Sequence, residues 1–474
     1  MTLPKTQSSI LVLGIAGTLA VTGQAHASGF QLWEQSASGL GTAYAGSAAV
    51  AEDASTIYFN PAGMAYLPKG KMQVVGALNF VQPSSEFSDE GSVMPFGIYV
   101  RGDNGDDNGG WNVVPSAYFA MPVNDQISIG LGLGAPFGLV TEYDQSHNPN
   151  WIGRFRAIKS DIKTININPS ISYQVNDTLS LGLGVSAQKL DGTFSNATNA
   201  SLVLCSGLGL ALCAPGGPLS NLEGQGTIKG DDWGYGFNLG AIFAPSPQTR
   251  IGLAYRSSIK YTVTGSVSNS IPTVTTLTPP LNAAANAGLA GYLYDGGIKA
   301  DVEVPDTAIL SAWHQLDDRW EIMGDLSWTG WSSIQYLDFI RTDGPANGST
   351  LSSTHENWRN TWRVAVGASY RYDDQWKFRG GLAYDQSPVD SAEFRTPRLP
   401  DDNRTWLSLG AQYTPNKDLW FDFGYTYIWV QGMSIDDRGG RFPTEAQNIA
   451  AYGWLRGSYD NSVNILAAQV TYNF

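Results

Sequence analysis

The sequence is short of charged side chains, and of basic ones above all. Charged residues make up 15% of the 474 residues, against roughly 25% in a typical soluble domain. Lys and Arg number 28 against 42 Asp and Glu, which gives a formal net charge of −14. A basic footprint for nucleic acid is absent, so we expect no nucleic-acid partner. The acidic residues are expected to lie on solvated loops.

Long apolar runs are also missing. The apolar core Ile10–Ala20 is shorter than the roughly 20 residues that a transmembrane helix needs. It follows Lys5 and precedes Ala25 and Ala27, a pair of small residues typical of a cleavage site. Residues 1–27 are therefore predicted to be a secretory signal. No later segment reads as a membrane helix, so the exported protein is either soluble or a β-barrel.

Histidine and cysteine are scarce, which argues against catalysis and metal binding. Outside the predicted signal the histidines are His147, His314 and His355, and no nucleophile motif surrounds them. Because a serine nucleophile needs a base within hydrogen-bond reach, we expect no enzyme activity and no cofactor. Cys205 and Cys213 are too few for structural zinc, which takes four ligands. In an oxidising compartment this pair is a candidate disulfide.

What the sequence does contain is a repeated alternation of apolar and polar residues. After Pro68, segments of about ten residues alternate in this way and are separated by stretches rich in Gly, Pro, Asn and Asp. Residues 419–430 and 179–188 are the clearest cases, because every second residue is aromatic or aliphatic. Successive side chains of a strand point to opposite faces, so one face would meet lipid and the other a lumen. Tyr, Trp and Phe make up 12% of the chain, as expected for such strands.

The connections between these segments come in two sizes. Six are tight turns rich in Asn, Asp and Pro, residues that favour turns. They are residues 123–126, 175–178, 245–248, 316–319, 372–375 and 414–417. Six turns and seven longer loops join fourteen strands, so we predict an all-β, antiparallel transmembrane barrel over 69–474. The terminal Phe474, on an alternating last strand, is similar to the signal read by the barrel-insertion machinery.

Residues 28–68 do not share this rhythm. They are rich in Gly, Ala and Ser but also carry Phe30, Trp33, Tyr44 and Phe59, which are uncommon in disordered segments. We therefore expect a compact plug inside the barrel; a flexible linker is the alternative.

This segment also carries a family resemblance. The run from Gly29 to Ala65, with Asn60-Pro61-Ala62, resembles the N-terminal hatch of the FadL-type long-chain fatty acid transporters. Residues 362–367, 372–376, 378–379, 387–389, 399–401 and 404–408 resemble the later strands of that family in order and spacing. The resemblance implies an outer-membrane location, among lipid and lipopolysaccharide, and passive uptake of fatty acids. The family also includes transporters of toluene and related hydrocarbons, so an aromatic ligand stays an alternative, and a general porin is a weaker one.

The resemblance also implies where a ligand is captured and held. Two loops, residues 196–228 and 267–298, carry apolar clusters that would form a capture groove, or would merely pack on each other. The groove candidates are Leu202, Val203, Leu204, Leu208, Leu210, Leu212, Leu289 and Leu293. For the inner pocket and hatch the candidates are Gly29, Phe30, Asn60, Pro61 and Ala62.

The third strand is the candidate exit. It is interrupted by Gly132, Gly134, Pro136, Phe137 and Gly138, and Pro and Gly inside a strand mark a bulge or a bend. In the family this strand is kinked inward and leaves a gap in the wall, which implies sideways release into the membrane. A plain structural bulge is the alternative.

The partner of a fatty-acid carboxylate is less clear. Arg359 lies near the position where the family has a basic residue, but the best-aligned position is Thr354, a departure from the family pattern. Lys189 and Arg154 are the other candidates. Any of these three could instead be a solvated loop charge, and the absence of a basic residue would favour a neutral hydrocarbon.

Overall fold

The structure is a computed structural model that describes residues 29–105, 109–143, 145 and 150–474. The predicted signal, residues 1–27, and His147 lie outside the described residues.

Fourteen antiparallel strands form the barrel, and six of them consist of two segments. They are β1 (Gln73–Asp89), β2 (Asn112–Pro122), β3 (Ile127–Gly134 and Gly138–Glu142), β4 (Lys159–Asn176), β5 (Leu179–Asn199), β6 (Glu223–Ser246), β7 (Thr249–Arg256 and Ile259–Ser270), β8 (Gly296–Val304 and Thr307–Gln315), β9 (Trp320–Thr329 and Tyr336–Arg341), β10 (Thr350–His355 and Thr361–Arg371), β11 (Trp376–Asp385), β12 (Arg404–Asn416), β13 (Leu419–Val430 and Met433–Asp437) and β14 (Leu455–Asn473). The predicted strand number is confirmed.

The first and last strands close the sheet. They pair antiparallel from Gln73 opposite Asn473 to Asp89 opposite Gly457, and every other strand pairs with its sequence neighbours. Closure matters because an unpaired backbone group in hydrocarbon costs several kcal/mol.

The two faces of the strands follow the predicted alternation. In β13, Asp422 and Thr426 are fully buried while Phe423 and Trp429 are about half exposed. The six predicted turns all lie between consecutive strands. In the first of them the Asn124 side chain accepts hydrogen bonds from the backbone N–H groups of residues 126 and 127 at 2.9 and 2.8 Å.

Helices are short and lie in the N-terminal segment and the loops. The α-helices are α1 (Ala37–Leu40), α2 (Thr56–Phe59), α3 (Ala200–Leu208), α4 (Pro279–Tyr292) and α5 (Glu445–Tyr452), and the 3₁₀ helices are Pro61–Tyr66, Leu210–Cys213 and Trp331–Ser333. In the described part of the chain, none of the helices has the length and apolar character to cross a membrane.

The segment 29–68 packs against inward-facing residues of strands distributed around the barrel. A Cβ added to Gly182 on β5 would lie 2.2 Å from the backbone of Ala62. One added to Gly381 on β11 would lie 2.2 Å from the backbone of Thr42. Close approach at both places requires glycine, and contacts on opposite parts of the wall are those expected of a plug.

Charged side chains of the barrel bind this segment. Arg379 on β11 is buried between Glu52, at 2.8 Å, and Asp422, at 2.7 Å. Other arginines donate to carbonyl oxygens of the segment, as Arg363 does to Ala43 at 2.6 Å. These bonds satisfy backbone groups of a chain that has little regular structure of its own.

Candidate functional site

An apolar cavity of about 90 Å³ lies on the loop side of the barrel. Its walls come from β3, β4, β5, β6, β7, β8 and β9, from the loops, and from Phe30 of the N-terminal segment. Most lining side chains are aliphatic or aromatic, among them Leu139, Leu190, Ile298 and Phe339. Such a lining suits an apolar ligand, since burial of each methylene group contributes about 0.8 kcal/mol.

An aromatic cluster surrounds Phe30. Its ring lies 5.1 Å from that of Trp331, 5.7 Å from that of Phe137 and 5.9 Å from that of Trp358. Gly29 fits beside the cluster because it has a φ of +60° and because a Cβ there would lie 2.6 Å from the Trp331 ring. Its backbone N–H donates to Asp401 at 3.0 Å.

The third strand bends away from its neighbour beside this cavity. β2 pairs with β3 over residues 117–122, beginning with Ala117 opposite Leu133. Residues 112–116 of β2 pair with β1 and with no other described strand. The second segment of β3, Gly138–Glu142, pairs with β4. Residues 136–141 are all buried, unlike those of a strand with one face towards lipid. The wall is therefore interrupted between β2 and β3.

The N-terminal segment pairs with the inner edge of this bend. The Leu32 N–H donates to the Pro136 carbonyl at 2.8 Å, and the Gly138 N–H donates to the Phe30 carbonyl at 2.9 Å. A Cβ added to Gly134 would lie 2.6 Å from the Gln35 side chain. The bend therefore exchanges its bonds to β2 for bonds to the plug.

Gly132, the remaining glycine of the predicted exit, lies before the bend and faces inward. A Cβ there would lie 3.2 Å from Ile57 of the plug.

A second, polar cavity of about 210 Å³ lies next to the apolar one. Thr354, Arg156, Asp437 and Arg438 are on its wall. Arg398, in the loop between β11 and β12, lines both cavities. The two cavities together offer an apolar space with a polar end, and a cation lies where they meet.

Two groups at this junction have shifted pKa values. Burial lowers the pKa of Arg398 to about 10, an effect that Glu356 and Asp437 oppose. Glu356, which follows the first segment of β10, is buried, and this desolvation raises its pKa to about 7. Arg398 therefore stays cationic at neutral pH, and Glu356 is partly neutral.

The predicted carboxylate partners do not line either cavity. Arg359 is exposed and pairs with Asp390 at 3.1 Å. Lys189 pairs with Asp231 at 3.1 Å. Arg154 is buried but is held by Glu223 through two hydrogen bonds of 2.7 and 2.6 Å. All three have anionic partners of their own.

The predicted groove residues divide into three groups. Leu204, Leu289 and Leu293 are buried in a core between α3 and α4. Leu208 and Leu210 are exposed, at 39% and 63%, and the remaining three are half-buried: Leu202, Val203 and Leu212. Cys205 and Cys213 form a disulfide within the same core. The loops pack on each other, and a capture groove on their outer side stays a prediction.

Asn60, Pro61 and Ala62 lie away from the apolar cavity, against β5 and β6. The Asn60 side chain accepts from the Ala62 N–H at 3.1 Å and donates to the Ala48 carbonyl at 2.7 Å. This motif caps the 3₁₀ helix that follows it, so its visible role is to hold the plug.

The sequence reasoning missed Trp331, Trp358, Glu356 and Arg398. Trp331 and Trp358 lie in the breaks of β9 and β10, which the sequence analysis did not predict. Arg398 carries no local signal: its contacts with Ser160 and Asn196 join residues more than 200 positions apart.

Comparison with known proteins identifies the family. A profile described as outer membrane protein transport protein (OMPP1/FadL/TodX) matches residues 18–474. The chain is 31% identical to the long-chain fatty acid transport protein of Escherichia coli O157:H7, over 96% of this chain and 99% of that protein.

Solved structures agree with this assignment. A FadL homologue of Pseudomonas aeruginosa has a TM-score of 0.80 and 28% identity, and the match covers 94% of this chain and 99% of that one. The toluene transporter TbuX of Ralstonia pickettii shares the fold, with a TM-score of 0.61 and 20% identity over 93% and 99% of the two chains. Members of the family are transporters or channels rather than enzymes. The chain belongs to the outer membrane protein transport family and is an outer-membrane transporter of hydrophobic compounds.

Proposed function

We propose that this protein takes up long-chain fatty acids by passive diffusion through a gated site. The observation that carries the proposal is the apolar cavity, because its wall is completed by Phe30 of the plug and it lies beside the interrupted wall at β3. The relative from Escherichia coli O157:H7 that is 31% identical is a long-chain fatty acid transport protein, which supports this ligand class.

Capture is the first step. Leu208 and Leu210 present apolar surface on the outside of the loops, where a fatty-acid tail would first lose contact with water. The outer membrane lipid and lipopolysaccharide surround the barrel at this level, and we expect the insertion machinery to have recognised Phe474 during assembly. The working division of the chain is a removed signal (1–27), a hatch (28–68) and the barrel (69–474).

Transfer to the apolar cavity is the second step, and it requires movement. The cavity volume of about 90 Å³ is small, since ligand pockets usually measure roughly 300–1,000 Å³. Phe30 is the lining residue that belongs to the plug rather than to the barrel. We propose that the tail displaces the Phe30 ring and occupies its place among Phe137, Trp331 and Trp358.

Exit is the third step. A ligand that leaves sideways, between residues 112–116 of β2 and the second segment of β3, passes from an apolar cavity to an apolar membrane. This route avoids a wet channel, in which a long tail would be exposed to water. Gly134 and Gly138 add no side chain to this path and leave room for the Gln35 and Leu32 side chains of the plug, which would lie 2.6 and 3.1 Å from an added Cβ.

A neutral aromatic hydrocarbon is the second candidate ligand. The apolar lining of the cavity favours it, and a solved toluene transporter has the same fold. Direct binding measurements separate the two ligands, because only the fatty acid carries a carboxylate.

The test uses the purified folded barrel titrated with oleate and with toluene, together with oleate uptake by cells that lack their own transporter. The variant carries Gly134→Val and Gly138→Val, and the control is Gly380→Val, where a Cβ meets nothing closer than 3.9 Å. We expect saturable oleate binding by all three proteins and loss of uptake in the double variant alone.

The other outcomes are equally informative. Binding of toluene without oleate would assign the protein to hydrocarbons. Unchanged uptake in the double variant would refute sideways exit. Passage of small polar solutes with binding of neither ligand would indicate a general porin.

A further inference from the structure

We propose that Arg398 is the residue that binds the carboxylate of the ligand, and that it makes the site selective for monocarboxylates with a long apolar tail. This inference rests on the proposed function and adds the group that recognises the ligand head. The carboxylate partners predicted from the sequence lie elsewhere.

The position of Arg398 fits this role. It lines both the apolar cavity, beside Leu399 and Phe194, and the polar cavity, beside Asn196. A fatty acid placed with its tail in the apolar cavity has its carboxylate at the boundary between the two. At this boundary a charged head group can remain partly hydrated while the tail is removed from water.

The electrostatic state of Arg398 also sets it apart. Three arginines line the polar cavity. Arg156 pairs with Asp437 at 2.8 Å, and Arg438 pairs with Asp436 at 2.8 Å. Among the described residues, Arg398 makes no ion pair within 4 Å.

The hydrogen-bond partners of Arg398 are neutral. They are the Lys159 carbonyl at 3.3 Å, the Ser160 hydroxyl at 3.1 Å and the Asn196 amide oxygen at 3.5 Å. Its guanidinium also lies 5.5 Å from the centre of the Phe194 ring. A half-buried guanidinium without an anion is costly, so it is poised to accept one.

A carboxylate meets this need better than any uncharged ligand. The guanidinium offers a planar set of donors that matches the two oxygens of a carboxylate. Glu356 does not supply the anion, because it forms no ion pair with Arg398 within 4 Å and because burial leaves it partly neutral at pH 7. A toluene-like ligand would leave the guanidinium unpaired, so the site disfavours it.

Three titratable groups near Arg398 affect its charge. Glu356 from the break between the two segments of β10, Asp437 from β13 and Tyr143 from the loop after β3 act on it electrostatically. Asp437 is already neutralised by Arg156. With Asp437 paired and Glu356 partly neutral, neither of these carboxyl groups fully neutralises Arg398.

The experiment compares oleate with oleyl alcohol, which has the same tail and no charge, on the full-length folded barrel at neutral pH. The variants are Arg398→Met and Arg398→Lys, and the matched control is Arg359→Met, an exposed arginine with its own anionic partner. We expect Arg398→Met to weaken oleate binding by about tenfold to a hundredfold, as loss of hydrogen bonds to a charged group does. Oleyl alcohol should bind to the Arg398→Met variant with the same affinity as to the native protein.

The lysine variant separates charge from shape. Because Arg398→Lys keeps the cation, it should retain a preference for oleate over the alcohol, whereas Arg359→Met should behave as the native protein. Equal loss of both ligands in Arg398→Met would show a merely structural role and overturn the inference. Unchanged oleate binding would also overturn it, with the proposed function intact. If the native protein bound neither ligand, the proposed function would fail, and the inference with it.

Discussion

Whether residues 29–68 close the lumen can be tested by adding one methyl group to the barrel wall. Gly381 on β11 faces inward, and a Cβ there would lie 2.2 Å from the carbonyl carbon and oxygen of Thr42. Gly380 is its sequence neighbour on the other face of the same strand, where a Cβ comes no closer than 3.9 Å to any other atom. Gly381→Ala and Gly380→Ala therefore add the same atom to opposite sides of one wall.

The magnitude follows from the geometry. Since ordinary contact begins near 3.4 Å, the Thr42 backbone must retreat by about 1.2 Å in Gly381→Ala. Overpacking of this kind costs roughly 1–3 kcal/mol. Each 1.4 kcal/mol changes an equilibrium about tenfold, so a displaced plug should be roughly ten to a hundred times more populated. Gly380→Ala should change nothing measurable.

The assay is the conductance of the purified protein in planar bilayers, together with influx of a small polar solute into cells. We expect Gly381→Ala to conduct and to leak more than the native protein, while heat-modified mobility on gels shows that the barrel is intact. Conductance and influx equal to those of Gly380→Ala, in a folded barrel, would refute the argument that residues 29–68 close the lumen.

Three further predictions concern the site. Phe30→Ala should bind oleate about tenfold more tightly in a titration, because the tail no longer has to displace a ring before it can bind. Weaker binding would mean that the ring stays in place and contacts the ligand. Burial raises the pKa of Glu356 to about 7, so its ionisation above that pH places a second anion near Arg398. Oleate affinity should then fall by up to about tenfold per pH unit above 7, and a Glu356→Gln variant with the same pH dependence would contradict this. In a Gln31→Cys, Phe137→Cys double variant, oxidation should form a disulfide that joins the plug to the bend of β3, and uptake should stop until reductant is added. Uptake that survives cross-linking would show that the pairing between the plug and this bend need not open.

The barrel could be predicted because its signals are local and repeated. In β13 the alternation of Asp422 and Phe423 assigns each residue to the lumen or to the outside. In the tight turns, Asn124 supplies its own hydrogen bonds within three residues. Both kinds of signal are complete within a short stretch of sequence, so a single chain is enough to recognise them.

The interruptions of the strands were predicted only at β3. There Pro136 lies beside glycines and marks the bend directly. The break in β8, at residues 305–306, is also marked by a proline, Pro305, although it was not predicted. The break in β7, at residues 257–258, contains neither Pro nor Gly. These breaks depend on what packs inside the wall: the Trp331 turn between the segments of β9 places its ring against Phe30, a residue 301 positions earlier in the chain.

The proposed binding site could be predicted in outline, but its charged residue could not. Phe30 was named because hatch resemblance marked it, and it does line the cavity. Arg398 could not be named, since nothing nearby in sequence distinguishes it from Arg395, which pairs with Asp402 at 3.0 Å. Arg395 has its anionic partner seven positions away, whereas Arg398 contacts neutral side chains more than 200 positions away. Only the folded chain shows which of the two arginines is left without an anion among the described residues.

In the proposed mechanism, Phe30 links ligand binding to exit. Its ring fills space in the apolar cavity, and its backbone carbonyl accepts the hydrogen bond from Gly138 at the bend of β3. A tail that displaces the ring pulls on the same residue that pairs with the bend. Loss of that pairing costs about 1 kcal/mol or less if water or lipid-facing groups replace it. Burial of two methylene groups therefore suffices to offset it. Ligand occupancy can thus loosen the inner edge of the interrupted wall without any other source of energy, which is what a passive, ligand-dependent exit requires.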